Sequence, residues 1–265
     1  MDDDALNRRQ QAGIDITREA GTLALRHFEA FGSLAIEKKG HQDLVSEADR
    51  EVELAVRAAL AEAFPDDSIV GEEHAPTEGA SGWTWVIDPI DGTANFVRGI
   101  PAWTVVLACV QGGRTRVGII HDPVHDETHH AREGGGAFLD DVPVRCAPDA
   151  RLTDGSVGVG FSGRTRAEDV ARLIDGLLAE GGVFLRNASG ALSLAYVSSG
   201  RLLGYAESHM NAWDCLAGQL LVAEAGGMIE AQDADVMIRD GGRVVVGARG
   251  VFADLVRLAD ASFGA

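Results

Sequence analysis

The first part of the chain carries two helical patterns of apolar residues. Between residues 7 and 31 apolar side chains recur at spacings of three and four, and the same pattern returns from about Glu47 to Phe64. Because an α-helix has about 3.6 residues per turn, this spacing places the apolar side chains on one face of each helix. The segment EKKGHQDLV between them predicts a turn or hairpin that bends at Gly40.

After the second helix, short runs of β-branched and aromatic residues predict a multi-stranded sheet. These runs are SIVGEE, WTWVID, TVVLACV, RVGIIHDP and GAFLD. From about Arg151, strand and helix patterns alternate to the end of the chain, which predicts layers of helix and sheet. We expect two halves: residues 1–150 with an antiparallel sheet, and residues 151–265 with alternating strands and helices.

The segment HDPVHDETHH contains four histidines, His121, His125, His129 and His130. Histidines four residues apart converge on one metal ion only from a helix. Pro123 and the preceding run RVGII favour a strand followed by a turn. We therefore predict a surface hairpin here and no transition-metal site.

The composition is typical of a globular protein in the cytoplasm. Of the 265 residues 46% are hydrophobic and 24% charged, no window approaches 18 uncharged apolar residues, and the start MDDDALNRRQ is acidic where a secretory signal is basic. We expect no membrane association. The three cysteines form no C-x-x-C pair, which favours reduced thiols over disulfides.

The net charge of −18 changes the expected partners. Nucleic-acid-binding surfaces need clustered Lys and Arg, so we expect no nucleic-acid partner. Clustered carboxylates attract an anionic ligand only after cations have bound to them. The charge is therefore a first indication of a metal site.

Several carboxylates lie where predicted elements begin or end. Glu72 and Glu73 end one apolar run, Asp88 and Asp91 end another in WVIDPIDGTANF, and Asp214 opens a predicted helix. Mg²⁺ takes oxygen ligands in octahedral geometry and rarely binds through one carboxylate. Several converging carboxylates would hold two ions about 3.5–4 Å apart, a spacing that serves both the attacking and the leaving oxygen of a phosphoryl group.

The residues around Asp91 also predict an anion site. If a helix begins near Gly92-Thr93, its first amides have no partner within the helix, and glycine lets a phosphate approach the backbone closely. Pro89 restricts the chain so that both aspartates and the Ile90 carbonyl can face one point. The alternative interpretation is an ordinary turn, because Asp-Pro and Asp-Gly are common turn dipeptides.

The motifs DLVSEAD, GEE, WVIDPIDGTANF and WDCLAGQLLVAEAGG follow one another along most of the chain. Together they resemble the inositol monophosphatase family of Mg²⁺-dependent, lithium-sensitive phosphatases. The resemblance implies an α+β fold built as a layered αβαβα sandwich. It also implies two to three Mg²⁺ ions per active site, hydrolysis of a phosphomonoester by a metal-activated water without a phospho-enzyme, and a homodimer.

The resemblance implies a role for each matching metal ligand. Glu72, Asp88 and the Ile90 carbonyl would bind the first ion, and Asp88, Asp91 and Asp214 the second. Glu72 would also help to hold a third, weaker ion, and we count it among the catalytic residues. The alternative for Asp214 is that it only complements the dipole of its helix.

The resemblance also implies which residues act on the water and the phosphate. Thr93 would orient and activate the attacking water together with Asp49, and the amides of Gly92 and Thr93 would bind the phosphate. Ser46 and Asp49 also match a capping box at the start of the second helix. A cap fixes the carboxylate without excluding a second role.

The substrate side departs from the family pattern. Glu207 matches the family glutamate that hydrogen-bonds inositol hydroxyls, although a carboxylate there would equally pair with the ammonium group of histidinol phosphate. Ser189 and Gly190 are expected to contact the substrate, but Ala188 and Ser189 stand where the family has Gly followed by Ser or Thr. Asn211 replaces a family histidine.

The expected substrate is a small phosphorylated polyol or amino alcohol, inositol-1-phosphate first, with histidinol phosphate and fructose-1,6-bisphosphate as alternatives. A non-catalytic regulatory partner is the alternative from another class.

Overall fold

Helices and sheets alternate in five layers in the computed structural model, which describes residues 3–30, 36–40 and 43–264. Of residues 36–40 and 43–46 the backbone alone is described. The layers are a helix pair, a seven-stranded sheet, a second helix pair, a five-stranded sheet and a third helix pair. This order confirms the predicted αβαβα sandwich.

The first layer consists of α1 (Asp3–Glu29) and α2 (Glu47–Ala63). An antiparallel hairpin of β1 (Ile36–Gly40) and β2 (Asp43–Ser46) lies between them in the chain. Both helices agree with the apolar spacing of the sequence, and Gly40 ends β1 as expected for a bend. Residues 41 and 42, which join the two strands, lie outside the described residues.

The seven-stranded sheet follows the order of the chain, and only its first two strands are parallel. Its strands are β3 (Ser68–Gly71), β4 (Trp83–Asp91), β5 (Thr104–Gln111), β6 (Arg114–Asp122), β7 (Glu127–Arg132), β8 (Gly136–Leu139) and β9 (Val142–Pro143). One face packs on α1 and α2 through fully buried side chains such as Trp85 and Ile119. The other face, which includes Val106 and Ile120, packs on the middle helix pair.

The five-stranded sheet has the order β11-β10-β12-β14-β13. Its strands are β10 (Ser156–Val159), β11 (Val183–Leu185), β12 (Gly204–Met210), β13 (Met228–Ile229) and β14 (Gly242–Gly247). The helices of the two remaining layers and the short helices are α3 (Thr93–Phe96), α4 (Ala167–Ala179), α5 (Gly190–Ser198), α6 (Ala212–Glu224), α7 (Ala234–Asp240) and α8 (Arg249–Phe263). Helices α5 and α6 lie between the two sheets, and α4 and α8 cover the outer face. The predicted division at residue 150 falls between β9 and β10 and stays a prediction.

Two glycines allow α6 to lie close to its neighbours. A Cβ atom at Gly118 of β6 would lie 2.7 Å from the carbonyl oxygen of Ala217, and one at Gly218 would lie 2.4 Å from the Cβ of Leu194 in α5. Cβ contacts below 3 Å require the neighbouring atoms to move, so a larger residue at either position would push α6 away. Close packing here fixes α6 against the sheet that contains β4.

The histidine segment was predicted correctly as strand and turn but wrongly as a surface hairpin. His121 ends β6 and His129 and His130 lie in β7. His121 and His129 are 4% and 0% exposed, because this part of the hairpin is covered by other layers. Gly21 of α1 explains the burial of His121, since a Cβ there would lie 2.3 Å from the imidazole.

The three cysteines are buried free thiols, as predicted. None of the helices within the described ranges combines the length and the apolar character that crossing a membrane requires.

Candidate active site

A β-bulge in β4 brings Asp88 and Asp91 to one side of the strand. Asp88 pairs with Val106 and Asp91 with Thr104 on β5, so three steps along β4 oppose two along β5. Residues three apart in a regular strand point to opposite faces, and one extra residue reverses the second of them. Pro89, which cannot donate to the ladder, lies in this bulge.

Asp214 completes a cluster of three carboxylates with Asp88 and Asp91. One carboxylate oxygen from each lies within 4.8 Å of the others. Asp214 is in the first turn of α6, and its carboxylate accepts a hydrogen bond from the backbone N–H of Asn211 at 3.2 Å. Asp214 thus forms a capping box with Asn211 at the start of α6, which does not exclude metal binding.

Burial and the neighbouring acids raise the pKa values of the three clustered aspartates. Burial, followed by the charges of Glu72, Asp91 and Asp214, raises the pKa of Asp88 well above its ordinary value. Burial and then the charge of Asp214 raise the pKa of Asp91 to about 7, and burial raises the pKa of Asp214 to about 6. Hard oxygen donors gathered in this way fit a divalent cation such as Mg²⁺, which would remove the repulsion that raises these pKa values.

Asp91 is held by the start of α5. Its carboxylate accepts hydrogen bonds from the hydroxyl of Ser189 and, at 2.8 Å, from the backbone N–H of Ala191. Ser189 is also the N-cap of α5, since its hydroxyl oxygen accepts the N–H of Leu192 at 3.2 Å. The predicted substrate residue Ser189 thus contacts a predicted metal ligand directly.

Thr93 lies between Asp49 and the bulge. Its hydroxyl is 3.1 Å from the Asp49 carboxylate and 3.1 Å from the carbonyl oxygen of Ile90. Asp49, in the first turn of α2, is 1% exposed. The side chain of Ser46, the other member of the predicted capping box, lies outside the described residues.

Gly92 adopts a left-handed conformation with φ of 100° directly before α3. A Cβ there would lie 2.9 Å from the carbonyl oxygen of Ala102, so both the backbone conformation and the space require glycine. The helix that follows contains only four residues, Thr93–Phe96. Asn95 ties this turn to its surroundings by donating to the carbonyls of Ala102 at 2.6 Å and Asn187 at 2.7 Å.

Glu72 follows the last residue of β3, Gly71, and lies outside the strand. Its charge is the second cause of the raised pKa of Asp88, after burial, and Glu72 is not one of the three carboxylates that lie within 4.8 Å of one another. The backbone N–H of Glu73 donates a hydrogen bond to the carboxylate of Glu53 at 2.7 Å. The structure thus brings all the predicted metal residues to one region, and their roles stay predictions.

A cleft of about 150 Å³ opens beside the carboxylates. The predicted residues Asp91, Ser189, Gly190, Glu207 and Asp214 line it, together with Tyr205 and Arg186. Glu207 is 7% exposed and accepts a hydrogen bond from the Tyr205 hydroxyl at 2.6 Å. Burial raises the pKa of Glu207 to about 7, against the opposing effect of the Tyr205 hydrogen bond.

Ala188, one of the departures from the family pattern, has a positive φ of 61°. This conformation is strained for alanine by roughly 1–2 kcal/mol. The strain explains why glycine is expected at this position.

Sequence reasoning missed three residues of this region. Glu53 is fully buried on α2, and the signal for it was an acid within the apolar stripe of α2, four residues before Arg57. Tyr205 lies two residues before Glu207, which places both on one face of β12. For Arg186 no sequence signal was present.

The comparison with known proteins identifies a family. The sequence model of the inositol monophosphatase family matches residues 6–261. The chain belongs to the inositol monophosphatase family.

Similar proteins of this family have different names. An inositol-1-monophosphatase from Mesorhizobium japonicum is 37% identical over 237 residues, which cover 88% of this chain and 89% of that protein. A Nus factor SuhB from Xylella fastidiosa is 38% identical over 218 residues, 82% of this chain and 79% of that protein. The crystal structure of extragenic suppressor protein suhB from Bartonella henselae has a TM-score of 0.88 and 30% identity, covering 94% of this chain and 97% of that one.

Proposed function

We propose that the protein is a Mg²⁺-dependent phosphomonoester hydrolase that acts on inositol-1-phosphate. The observation that carries this proposal is the cluster of Asp88, Asp91 and Asp214 at the end of a cleft that also contains Glu207. Family membership and the similar inositol-1-monophosphatase support it.

Two to three Mg²⁺ ions fit the donors that converge here. Asp88, Asp91, Asp214, Glu72 and the Ile90 carbonyl would hold them, and burial raises the pKa of each of the three clustered aspartates. When bound, Mg²⁺ supplies Lewis-acid stabilisation of the phosphoryl oxygens and of the leaving alkoxide. We also propose that lithium inhibits this hydrolysis.

The chain's own residues would orient the water and the phosphate. If Thr93 donates its hydrogen to Asp49, the Thr93 oxygen keeps lone pairs that accept a hydrogen bond from a water. That bond would aim the water at phosphorus, in line with the ester bond. Gly92 would let the phosphate lie against the backbone, because no side chain stands there.

The cleft would select the alcohol part of the substrate. A Glu207 carboxylate held by Tyr205 would accept hydrogen bonds from ring hydroxyls, and Ser189 and Gly190 would form the wall beside it. The alternatives in the same family are histidinol phosphate, whose ammonium would pair with Glu207, and fructose-1,6-bisphosphate, whose second phosphate would meet Arg186.

A regulatory role is the second candidate function. The specific observation in its favour is the similarity to a protein named Nus factor SuhB. The two roles are compatible, because a binding surface outside the cleft would leave the carboxylates in place.

We also propose a homodimer in which edge strand β11 faces a second copy. Its three residues are all apolar and exposed, Val183 by 55%, Phe184 by 40% and Leu185 by 39%. An apolar edge strand is prone to association, so a stable protein is expected to cover it. Sedimentation should give a dimer that Phe184→Glu dissociates; a monomeric wild type would contradict this.

Phosphate release tests the main proposal. We expect release from inositol-1-phosphate with Mg²⁺, slower release from histidinol phosphate and fructose-1,6-bisphosphate, and inhibition by lithium. Release from none of them by a protein that binds Mg²⁺ would favour the regulatory role. A preference for one of the other two substrates would correct the substrate and leave the reaction class in place.

A further inference from the structure

We propose that Glu53 and Arg57 on α2 form a clamp that positions Glu72 for metal binding. The clamp acts on the loop of residues 72–76, which joins β3 to Thr77. It rests on the proposed function, because it assumes that Glu72 is a metal ligand. Glu53 is then a positioning residue, which touches neither metal nor substrate.

Glu53 uses both carboxylate oxygens to hold the loop. Its Oε2 accepts the backbone N–H of Glu73 at 2.7 Å, and its Oε1 accepts the backbone N–H of His74 at 3.2 Å. These two amides directly follow Glu72, so they fix the backbone that carries it. Both loop residues are partly buried, and a loop amide shielded from water needs such an acceptor, because an unpaired N–H there is unfavourable.

Arg57 completes the clamp from one turn further along α2. It donates from Nε to Glu53 at 2.7 Å, from Nη2 to the carbonyl of His74 at 3.1 Å and from Nη1 to the hydroxyl of Thr77 at 3.4 Å. The guanidinium thus neutralises Glu53 and binds the far side of the same loop. The planar guanidinium suits this arrangement, whereas the single ammonium of lysine cannot make all three bonds.

Gly71 shows how closely the clamp packs on the end of β3. A Cβ at Gly71 would lie 2.3 Å from Oε1 of Glu53. The absence of a side chain at Gly71 is what lets the carboxylate reach under the loop. Thr77 anchors the other end of the loop by two backbone hydrogen bonds with Ile69, each 2.8 Å long.

A stabilising role alone does not explain this arrangement. Buried ion pairs generally contribute little net stability, because desolvation of the two charges offsets their attraction. Glu53 is fully buried, and its hydrogen bonds within the loop go to the two residues that follow Glu72. Glu72 directly precedes these two residues, so a shift of this loop would move the proposed metal ligand.

The test compares Glu53→Gln with a matched control, Asp67→Asn. Asp67 is also a buried carboxylate paired with an arginine, Arg9 at 2.9 Å, and it accepts hydrogen bonds from Ser81 and Trp85 rather than from the loop. Glutamine at position 53 must point its NH₂ group at a donor, at either Glu73 or His74. Mg²⁺ binding is measured by calorimetry on the folded proteins, and urea unfolding is measured with EDTA.

We expect Glu53→Gln to weaken Mg²⁺ binding about tenfold, which equals about 1.4 kcal/mol. In EDTA, Asp67→Asn should lower the free energy of unfolding about as much as Glu53→Gln does. Its Mg²⁺ affinity should differ from that of the wild type by less than about twofold. Equal Mg²⁺ affinity in wild type and Glu53→Gln would overturn the clamp. A wild type that binds no Mg²⁺ would instead overturn the proposed function.

A second variant tests the clamp if Glu53→Gln does not fold. Arg57→Lys keeps the positive charge beside Glu53 and loses bonds to His74 and Thr77. We expect Mg²⁺ binding about threefold weaker or more, with the fold retained. Unchanged Mg²⁺ affinity in Arg57→Lys would contradict the clamp.

Discussion

Asp91→Asn should make the metal-free protein more stable while it abolishes catalysis. The asparagine oxygen can still accept the hydrogen bonds from Ser189 and Ala191, so the substitution removes mainly a charge. That charge is unfavourable in the folded protein without metal, since burial and Asp214 raise the pKa of Asp91 from 3.8 to about 7. A shift of about three pKa units corresponds to at most about 4 kcal/mol.

The pH dependence has a definite sign. A carboxyl group with a raised folded-state pKa binds more protons folded than unfolded, so rising pH destabilises the fold between the two pKa values. The penalty is absent below the unfolded pKa of 3.8, grows up to about 7 and is constant above it. The gain from Asp91→Asn should therefore be largest above about pH 7 and vanish toward about pH 4.

Urea unfolding with EDTA at about pH 8 measures this gain, which we expect to be about 1–4 kcal/mol. With Mg²⁺ the order should reverse, because the wild type gains binding energy that the variant lacks. Asp122→Asn is a control, since Asp122 is also buried but interacts with Val124 and His125 and is not part of the carboxylate cluster. The reasoning would be refuted by an Asp91→Asn protein that is less stable than wild type in EDTA, or equally active with Mg²⁺.

Three further predictions concern the water, the substrate and the backbone. Thr93→Val should lower the turnover rate about a hundredfold or more, because the water loses its orienting hydroxyl, with Mg²⁺ affinity unchanged in calorimetry; an unchanged rate would exclude Thr93 from the mechanism. Glu207→Ala should reduce the kcat/KM for inositol-1-phosphate more than that for a simple aryl phosphate, and equal losses on both would show that Glu207 does not determine specificity. Ala188→Gly should raise the free energy of unfolding by about 0.5–1 kcal/mol, because relief of a positive φ exceeds the added flexibility of glycine in the unfolded chain; urea unfolding that shows a loss would contradict the strain at Ala188.

Local patterns were enough to predict most helices and strands. The stripe of α2 and the apolar run of β4 depend on residues close in sequence, so their periodicity was sufficient. α7 escaped prediction because its seven residues carry too short a pattern. The burial of His121 was not predicted, because it depends on contact with Gly21 of α1, a hundred residues away in sequence.

The candidate site was predicted through its motifs, and the contacts that support it were not. Asp88 and Asp91 could be named from WVIDPIDGTANF, but the bulge that turns both to one side depends on pairing with β5. The position of Glu53 within the apolar stripe of α2 indicates that it is buried but not what it holds. Its importance lies in two amides twenty residues further on, which no local pattern indicates.

The central claim is that the clustered carboxylates support Mg²⁺-dependent removal of phosphate. The most direct measurement is phosphate release from inositol-1-phosphate by the wild type during a Mg²⁺ titration, with EDTA and Asp91→Asn in parallel. We predict saturable release with Mg²⁺, none with EDTA, and a loss of orders of magnitude in Asp91→Asn. Full release in EDTA, or equal release by Asp91→Asn, would contradict the account.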